Sequence, residues 1–114
     1  MILYRLAEPC DALQLADLRW CLRTDDAPVN DAAAKARFIQ QFVVWMDASP
    51  DRNLVHWVAE QDGKLIGVIS TRIIQKLPSP EDMEGKFGYL TNSYVLAQHR
   101  NQGVGSKLLA AVKK

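Results

Sequence analysis

The residues best suited to chemistry lie together in the run Arg100-Asn101-Gln102-Gly103-Val104-Gly105-Ser106. A β-rich stretch, FGYLTNSYVL (Phe87 to Leu96), precedes it, and SKLLAAVKK, patterned as a helix, follows. A helix N-terminus presents backbone N–H groups without intrahelical partners and carries the positive end of the helix dipole. Glycine tolerates unusual dihedrals and lets main chain come close to a bulky anion. Strand, glycine loop and helix together form a candidate pyrophosphate cradle made of backbone. Ser106 adds a hydroxyl donor and Arg100 a cation beside the loop. The alternative is a plain strand-to-helix turn, and Gly-x-Gly alone does not separate the two. Two other phosphate motifs are excluded. The nucleotide triphosphate loop needs Gly-x-x-x-x-Gly-Lys-Ser/Thr, which does not occur. A dinucleotide fingerprint needs a third glycine where Leu108 stands, and an acidic residue on a following strand.

The elements that must hold this loop follow from periodicity. Met1 to Glu8 reads as a first strand bounded by Pro9. Asp11 is expected to cap a helix running to about Arg23, with Leu15, Leu18 and Leu22 on its buried face and Arg19 and Arg23 on its polar side. Asp31 caps a second helix through about Ala48, where Ile39, Phe42, Val43 and Met46 follow i, i+3, i+4, i+7 spacing. LVHWVAE (Leu54 to Glu60) and KLIGVISTRII (Lys64 to Ile74) are strands joined by a turn at Gln61, Asp62 and Gly63. Gly67, inside the return strand, suggests a bulge or a close backbone approach. A polar loop, KLPSPEDMEGK, leads to the strand Phe87 to Leu96, and helix resumes after Gly103. The order is β-α-α-β-β-β-α, an α+β class, without an internal repeat or domain boundary over residues 1–114.

Composition excludes several functions. Hydrophobic residues make up 48% of the 114, enough for a core. With 14 basic and 13 acidic residues the net charge is +1, which gives no electrostatic footprint for nucleic acid or an anionic membrane. No apolar run approaches the roughly 20 residues that cross a bilayer, and MILYRLAEPCDA is not a signal peptide. Cys10 and Cys21 have neither metal-site spacing nor a disulfide framework; no metal is expected, and the cytoplasm is. Both cysteines are expected to be small, partly buried side chains, and Tyr4, Trp20, Trp45 and Trp57 core or half-core aromatics.

NSYVLAQHRNQGVGSKLL (Asn92 to Leu109) resembles the acetyl-CoA-binding segment of the GNAT (Gcn5-related N-acetyltransferase) superfamily, a strand followed by Arg/Gln-x-x-Gly-x-Gly/Ala and a helix. DLRWCLR (Asp17 to Arg23) sits where such proteins often carry a Leu-Arg pair in the first helix, and the element order is similar throughout. The resemblance implies a GNAT-like acyl-CoA N-acyltransferase fold, a mainly antiparallel sheet with flanking helices. It implies acetyl-CoA as cosubstrate and a small-molecule or peptide amine as acceptor, joined by direct attack without a covalent enzyme intermediate. Val95 and Leu96 would present backbone groups to the pantetheine arm, and a backbone N–H near Val95 would serve as oxyanion donor. Arg100, Asn101, Gln102, Gly103, Val104, Gly105 and Ser106 would hold the pyrophosphate.

The chain departs from this pattern. Ala97 stands where a proline is common, and Asn92 where some members carry a glutamate base; an amide takes no proton at neutral pH, so Asn92 is at most part of a water relay. Family members continue into another strand, a helix and a final hairpin, which usually supplies a tyrosine that protonates the leaving thiolate. On this reading the C-terminal strands and helix are missing. The strand Phe87 to Leu96 then keeps an open edge, Tyr94 and Leu96 lose part of their cover, the chain is expected either to self-associate through that edge as a homodimer or to be an unstable monomer, and in both cases catalysis is weak or absent. Asp25 and Asp26 are candidates to attract a cationic amine, with Glu81, Asp82 and Glu84 a second group; for both groups a solvated loop is the favoured reading. His56 reads as a packed strand residue and His99 as solvent-facing. The rival from another class is a non-catalytic acyl-CoA-binding or interaction module with the same fold.

Overall fold

The computed structural model describes residues 1–25, 28–48, 53–81, 83 and 85–112. Strand β1 (Ile2–Leu6) is followed by helices α1 (Ala12–Thr24) and α2 (Ala32–Ala48), strands β2 (Leu54–Gln61), β3 (Lys64–Gln75) and β4 (Lys86–Val95), and helix α3 (Val104–Val112). This is the expected order. The four strands form one antiparallel sheet in the order β1-β2-β3-β4.

Leu15 and Leu18 of α1 are buried against Val58, Val68 and Tyr94 on one face of the sheet. On the opposite face Val104 and Leu108 of α3 are buried against Ala59, Ile66 and Ile69. Tyr94 is only 7% exposed, so the expectation that it loses cover is corrected: α1 covers it from the sheet face.

Asp31 caps α2 as expected, its Oδ1 accepting from Ala34 N–H at 3.0 Å. Asp11 does not cap α1 with its side chain. It is buried, accepts from Glu8 N–H at 2.7 Å, and takes a bidentate pair from Arg5 at 2.7 and 3.0 Å, while Glu60 holds the same guanidinium at 2.6 Å. The Arg5 guanidinium keeps the Asp11 carboxyl below the usual carboxylate range. A strong cation nearby outcompetes the backbone N–H groups of the first turn.

Helix α2 lies on α1 through a ladder of rings: Trp20 to Phe38 at 5.7 Å, Phe38 to Phe42 at 5.9 Å and Phe42 to Trp45 at 6.2 Å. Trp45 ends that ladder 48% exposed, not in the core. Cys10 is exposed as well, and Cys21 is half-buried.

Two irregularities set the registers. The β2–β3 turn is two residues long, not three: Gln61 pairs with Lys64, and Asp62 and Gly63 both have positive φ (52° and 81°), as a primed hairpin turn requires. Beyond it, Glu60 pairs with Leu65 but Ala59 with Gly67, which leaves Ile66 as an extra residue. On β4, Leu90 pairs with Thr71 and Asn92 with Ser70, which leaves Thr91 as the extra residue. Gly67 gives α3 room: an ideal Cβ there would lie 3.2 Å from Leu108 Cδ1 and 3.4 Å from Val104 Cγ1.

Candidate active site

The first intrahelical bond of α3 runs from Lys107 N–H to Gly103 O at 3.0 Å. The N–H groups of Val104, Gly105 and Ser106 therefore have no acceptor within the helix. Gly103 has φ +80° and Asn101 φ +64°, the left-handed region that glycine takes freely and asparagine tolerates. Added Cβ atoms would meet nothing within 4 Å at Gly103 and only Val95 Cγ2, at 3.9 Å, at Gly105. The helix start is thus open in front and adjoins the end of β4. Val104 is buried, so its side chain anchors α3 and only its backbone faces the loop. Asn101, Gln102 and Ser106 are exposed around it.

Leu96 N–H donates to Ile66 O at 2.9 Å, toward β3. Backbone groups alternate along a strand, so the Val95 N–H and C=O point the other way, to the open edge. Of the two residues expected at this edge only Val95 presents its backbone: Leu96 O accepts from His99 N–H at 2.9 Å within the turn Ala97–His99.

Arg100 turns back from the loop. Its Nε donates to Val95 O at 2.8 Å, its Nη2 pairs with Asp25 Oδ2 at 2.6 Å, and its guanidinium stacks 5.1 Å from the Tyr94 ring centroid. Tyr94 Oη donates to the other Asp25 oxygen at 3.2 Å. Arg100 holds the Asp25 carboxyl below its ordinary range. Burial, and then the Asp25 charge, push the Tyr94 hydroxyl up to about 12. Asp25 is therefore engaged with Arg100 and Tyr94, not presented as a lone charge for an amine. Asp26, Asp82 and Glu84 lie outside the described residues. Glu81 is exposed in a turn, and His99 is half-buried rather than solvent-facing.

The face under α1 and α2 carries polar groups that sequence reasoning did not bring together. His56 Nδ1 lies 2.6 Å from Ser70 Oγ, Asn92 Nδ2 donates to Ser70 Oγ at 3.3 Å, and Arg19 Nη1 donates to Asn92 Oδ1 at 3.2 Å. Arg19 can only donate, which fixes the Asn92 amide with its Nδ2 toward Ser70. Burial lowers the His56 pKa, which favours the neutral ring. Arg19, expected on the polar side of α1, is half-buried over the sheet. These groups line a cavity of about 190 Å³. A larger cavity, about 590 Å³, lies at the opposite edge of the sheet between β1, β2 and α2, away from Val95. No group of three or more metal-ligating side chains occurs among the described residues, and no helix among them is long and apolar enough to cross a membrane.

The acetyltransferase (GNAT) family model matches residues 13–114, from the second residue of α1 through the glycine loop and α3. The chain belongs to the GNAT acetyltransferase family. No curated protein matches it in sequence. Solved structures resemble it in fold. A GCN5-related N-acetyltransferase from Ralstonia eutropha superposes with a TM-score of 0.71 at 24% identity, over 99% of this chain and 74% of that one. A predicted acetyltransferase with acetyl-CoA from Clostridium acetobutylicum gives 0.68 at 23%, over 98% and 71%. A ribosomal-protein-alanine N-acetyltransferase from Brucella melitensis gives 0.68 at 20%, over 99% and 69%. The GNAT family uses acetyl-CoA, and in this member the free N–H groups of α3 and the open edge at Val95 lie side by side.

Proposed function

We propose that this chain is an acetyl-CoA-dependent N-acetyltransferase that moves an acetyl group to a primary amine by direct attack, with both substrates bound together. One observation carries the reading: in a GNAT chain, three unpartnered N–H groups at the start of α3 stand beside the outward-facing Val95 N–H. In the proposed complex Val104, Gly105 and Ser106 donate to the pyrophosphate, with Arg100, Asn101 and Gln102 around it. Pantetheine lies along β4, and Val95 N–H bonds the thioester oxygen as negative charge develops there. The amine nitrogen forms the new C–N bond, the C–S bond breaks with its electron pair on sulfur, and the amine proton passes to water. Asn92, held between Arg19 and Ser70, orients that water. Arg100 exchanges Val95 O for the pyrophosphate on binding, which frees the carbonyl for pantetheine. Self-association along the edge of β4 would use the edge that pantetheine takes, so a dimer formed there is expected in the CoA-free protein and is read from the solution mass by light scattering with and without CoA.

A non-catalytic acyl-CoA-binding module is the second reading, favoured by an amide, Asn92, where a base would serve. Acetyl-CoA consumption with a panel of amines separates them. The proposal expects thiol release with at least one amine. Binding of CoA without turnover selects the second reading, and failure to bind CoA removes both.

A further inference from the structure

We propose that the acceptor is an amine that also carries an anionic group, a carboxylate or a phosphate, received by Arg19 in the cavity beside Trp45. The proposal rests on the N-acetyltransferase reading above and names the substrate class of that site.

Arg5, Arg100 and Arg19 allow a comparison. Arg5 is neutralised by Asp11 and Glu60, and Arg100 by Asp25. Arg19 is half-buried, and its partner is a neutral amide oxygen. Among the described residues it has no ion pair. A guanidinium carries five N–H donors, and Arg19 commits one of them in its hydrogen bond to Asn92. Taking a cation out of water without a counterion is costly, and a bound anion offsets that cost.

The cavity around Arg19 fits such a ligand. Its polar wall is formed by Arg19, His56, Ser70, Arg72 and Asn92, and no carboxylate is among its described lining residues. Arg19 brings to it a positive charge that no ion pair among the described residues offsets. A concave site lined by one sign of charge concentrates the opposite sign. Phe42 and Trp45 form an apolar wall on the α2 side. The volume, about 190 Å³, is below the ~300 Å³ at which drug-sized ligand sites begin, so the occupant is small. Asn92 lies three residues before Val95 on β4, about 10 Å along the strand. An anion on Arg19 therefore leaves an amine several bonds away within reach of a thioester at Val95. Asp25, the acid expected to draw a cationic acceptor, is already held by Arg100.

The test compares amines matched in size: β-alanine and phosphoethanolamine against propylamine and 1,3-diaminopropane. Acetyl transfer by the full chain at saturating acetyl-CoA gives kcat/KM for each. The expected result is at least a tenfold preference for an anionic amine. The β-alanine and phosphoethanolamine arms distinguish carboxylate from phosphate. Arg19→Met collapses the preference toward parity, and Arg19→Lys, which keeps the charge, retains part of it. Should Arg19→Met fail to fold, the wild-type preference must still shrink several-fold between about 0.01 and 0.5 M salt, because screening weakens attraction to Arg19. Equal or better use of propylamine or the diamine overturns the proposal and leaves the enzyme reading intact. If no amine is acetylated, the enzyme reading fails, and calorimetry of β-alanine and phosphoethanolamine with the CoA-saturated protein decides the site alone. Binding that Arg19→Met weakens about tenfold supports it, and absence of binding overturns it.

Discussion

The two faces of the sheet expose different kinds of polar group. On the α3 face the side chains are apolar and close-packed, and the groups offered to a ligand are main chain: the N–H groups of Val104, Gly105 and Ser106 and the edge of β4 at Val95. On the α1/α2 face the backbone is hidden, and side chains make a ladder of Arg19, Asn92, Ser70 and His56. A main-chain site is nearly independent of side-chain identity, provided glycines keep it open. A side-chain site depends on every residue in it. In the proposed function the main-chain face takes the cosubstrate and the side-chain face the acceptor, so a substitution on the second face can change the acceptor without touching the first.

The comparison is most easily broken at Gly105. Gly105→Val adds a branched side chain where only Val95 Cγ2 is near, so the helix tolerates it, but the new methyls fill the space before the free N–H groups. Loss of measurable CoA binding by calorimetry, with an unchanged circular dichroism spectrum, is the expected outcome. CoA affinity equal to wild type would remove the phosphate-site assignment. Gly67→Val strikes the packing beneath the same site. Its Cβ would press on Leu108 at 3.2 Å and Val104 at 3.4 Å, and overpacking of this kind costs about 1–3 kcal/mol, seen as a lower urea midpoint.

Ser70→Ala tests the side-chain face. Ser70 is buried, and its loss strands Asn92 Nδ2 and His56 Nδ1, at a cost of about 1–2 kcal/mol with CoA affinity unchanged. The smallest effect is at His56. Its folded pKa lies below the unfolded value of about 6.5, so above that pH it contributes no pH dependence. As pH falls below about 6.5 the unfolded chain takes a proton that the folded chain resists, and stability drops by at most about 1.4 kcal/mol per pH unit. His56→Gln should remove that part of the acid loss; identical acid slopes for the two proteins would place His56 in solvent.

Much of the α3 face was legible in the sequence, because its signals are local. The glycines, the strand before them and the helical run after them are contiguous, and Gly67 announced the close approach of α3. The positive φ of Asn101 was missed, since asparagine marks that conformation only weakly. On the other face the reading found helices and strands but not the ladder. Counting back from the Asp62-Gly63 turn would set His56 opposite Ile69; the extra residue at Ile66 sets it opposite Ser70 instead. The extra residue at Thr91 similarly decides that Asn92 meets Ser70. Gly67 in LIGVIS suggests a bulge or a close approach and the structure has both, but a glycine does not fix the resulting register, and nothing local in YLTNS marks the second bulge. Asp11 and Asp25 were misjudged for a related reason: each is claimed by an arginine, Asp25 by one 75 residues away, and chain-local capping or loop arguments cannot see such partners.

The central claim is that main chain at the end of β4 and the start of α3 receives CoA. Titration of uniformly 15N-labelled protein with CoA, followed by amide chemical shifts, tests it most directly. The account predicts that the largest shifts fall on Val95, Val104, Gly105 and Ser106, with the amides of Arg19, His56 and Ser70 nearly still. Shifts concentrated on the α1/α2 face, or none at the four named amides under saturation, would contradict it.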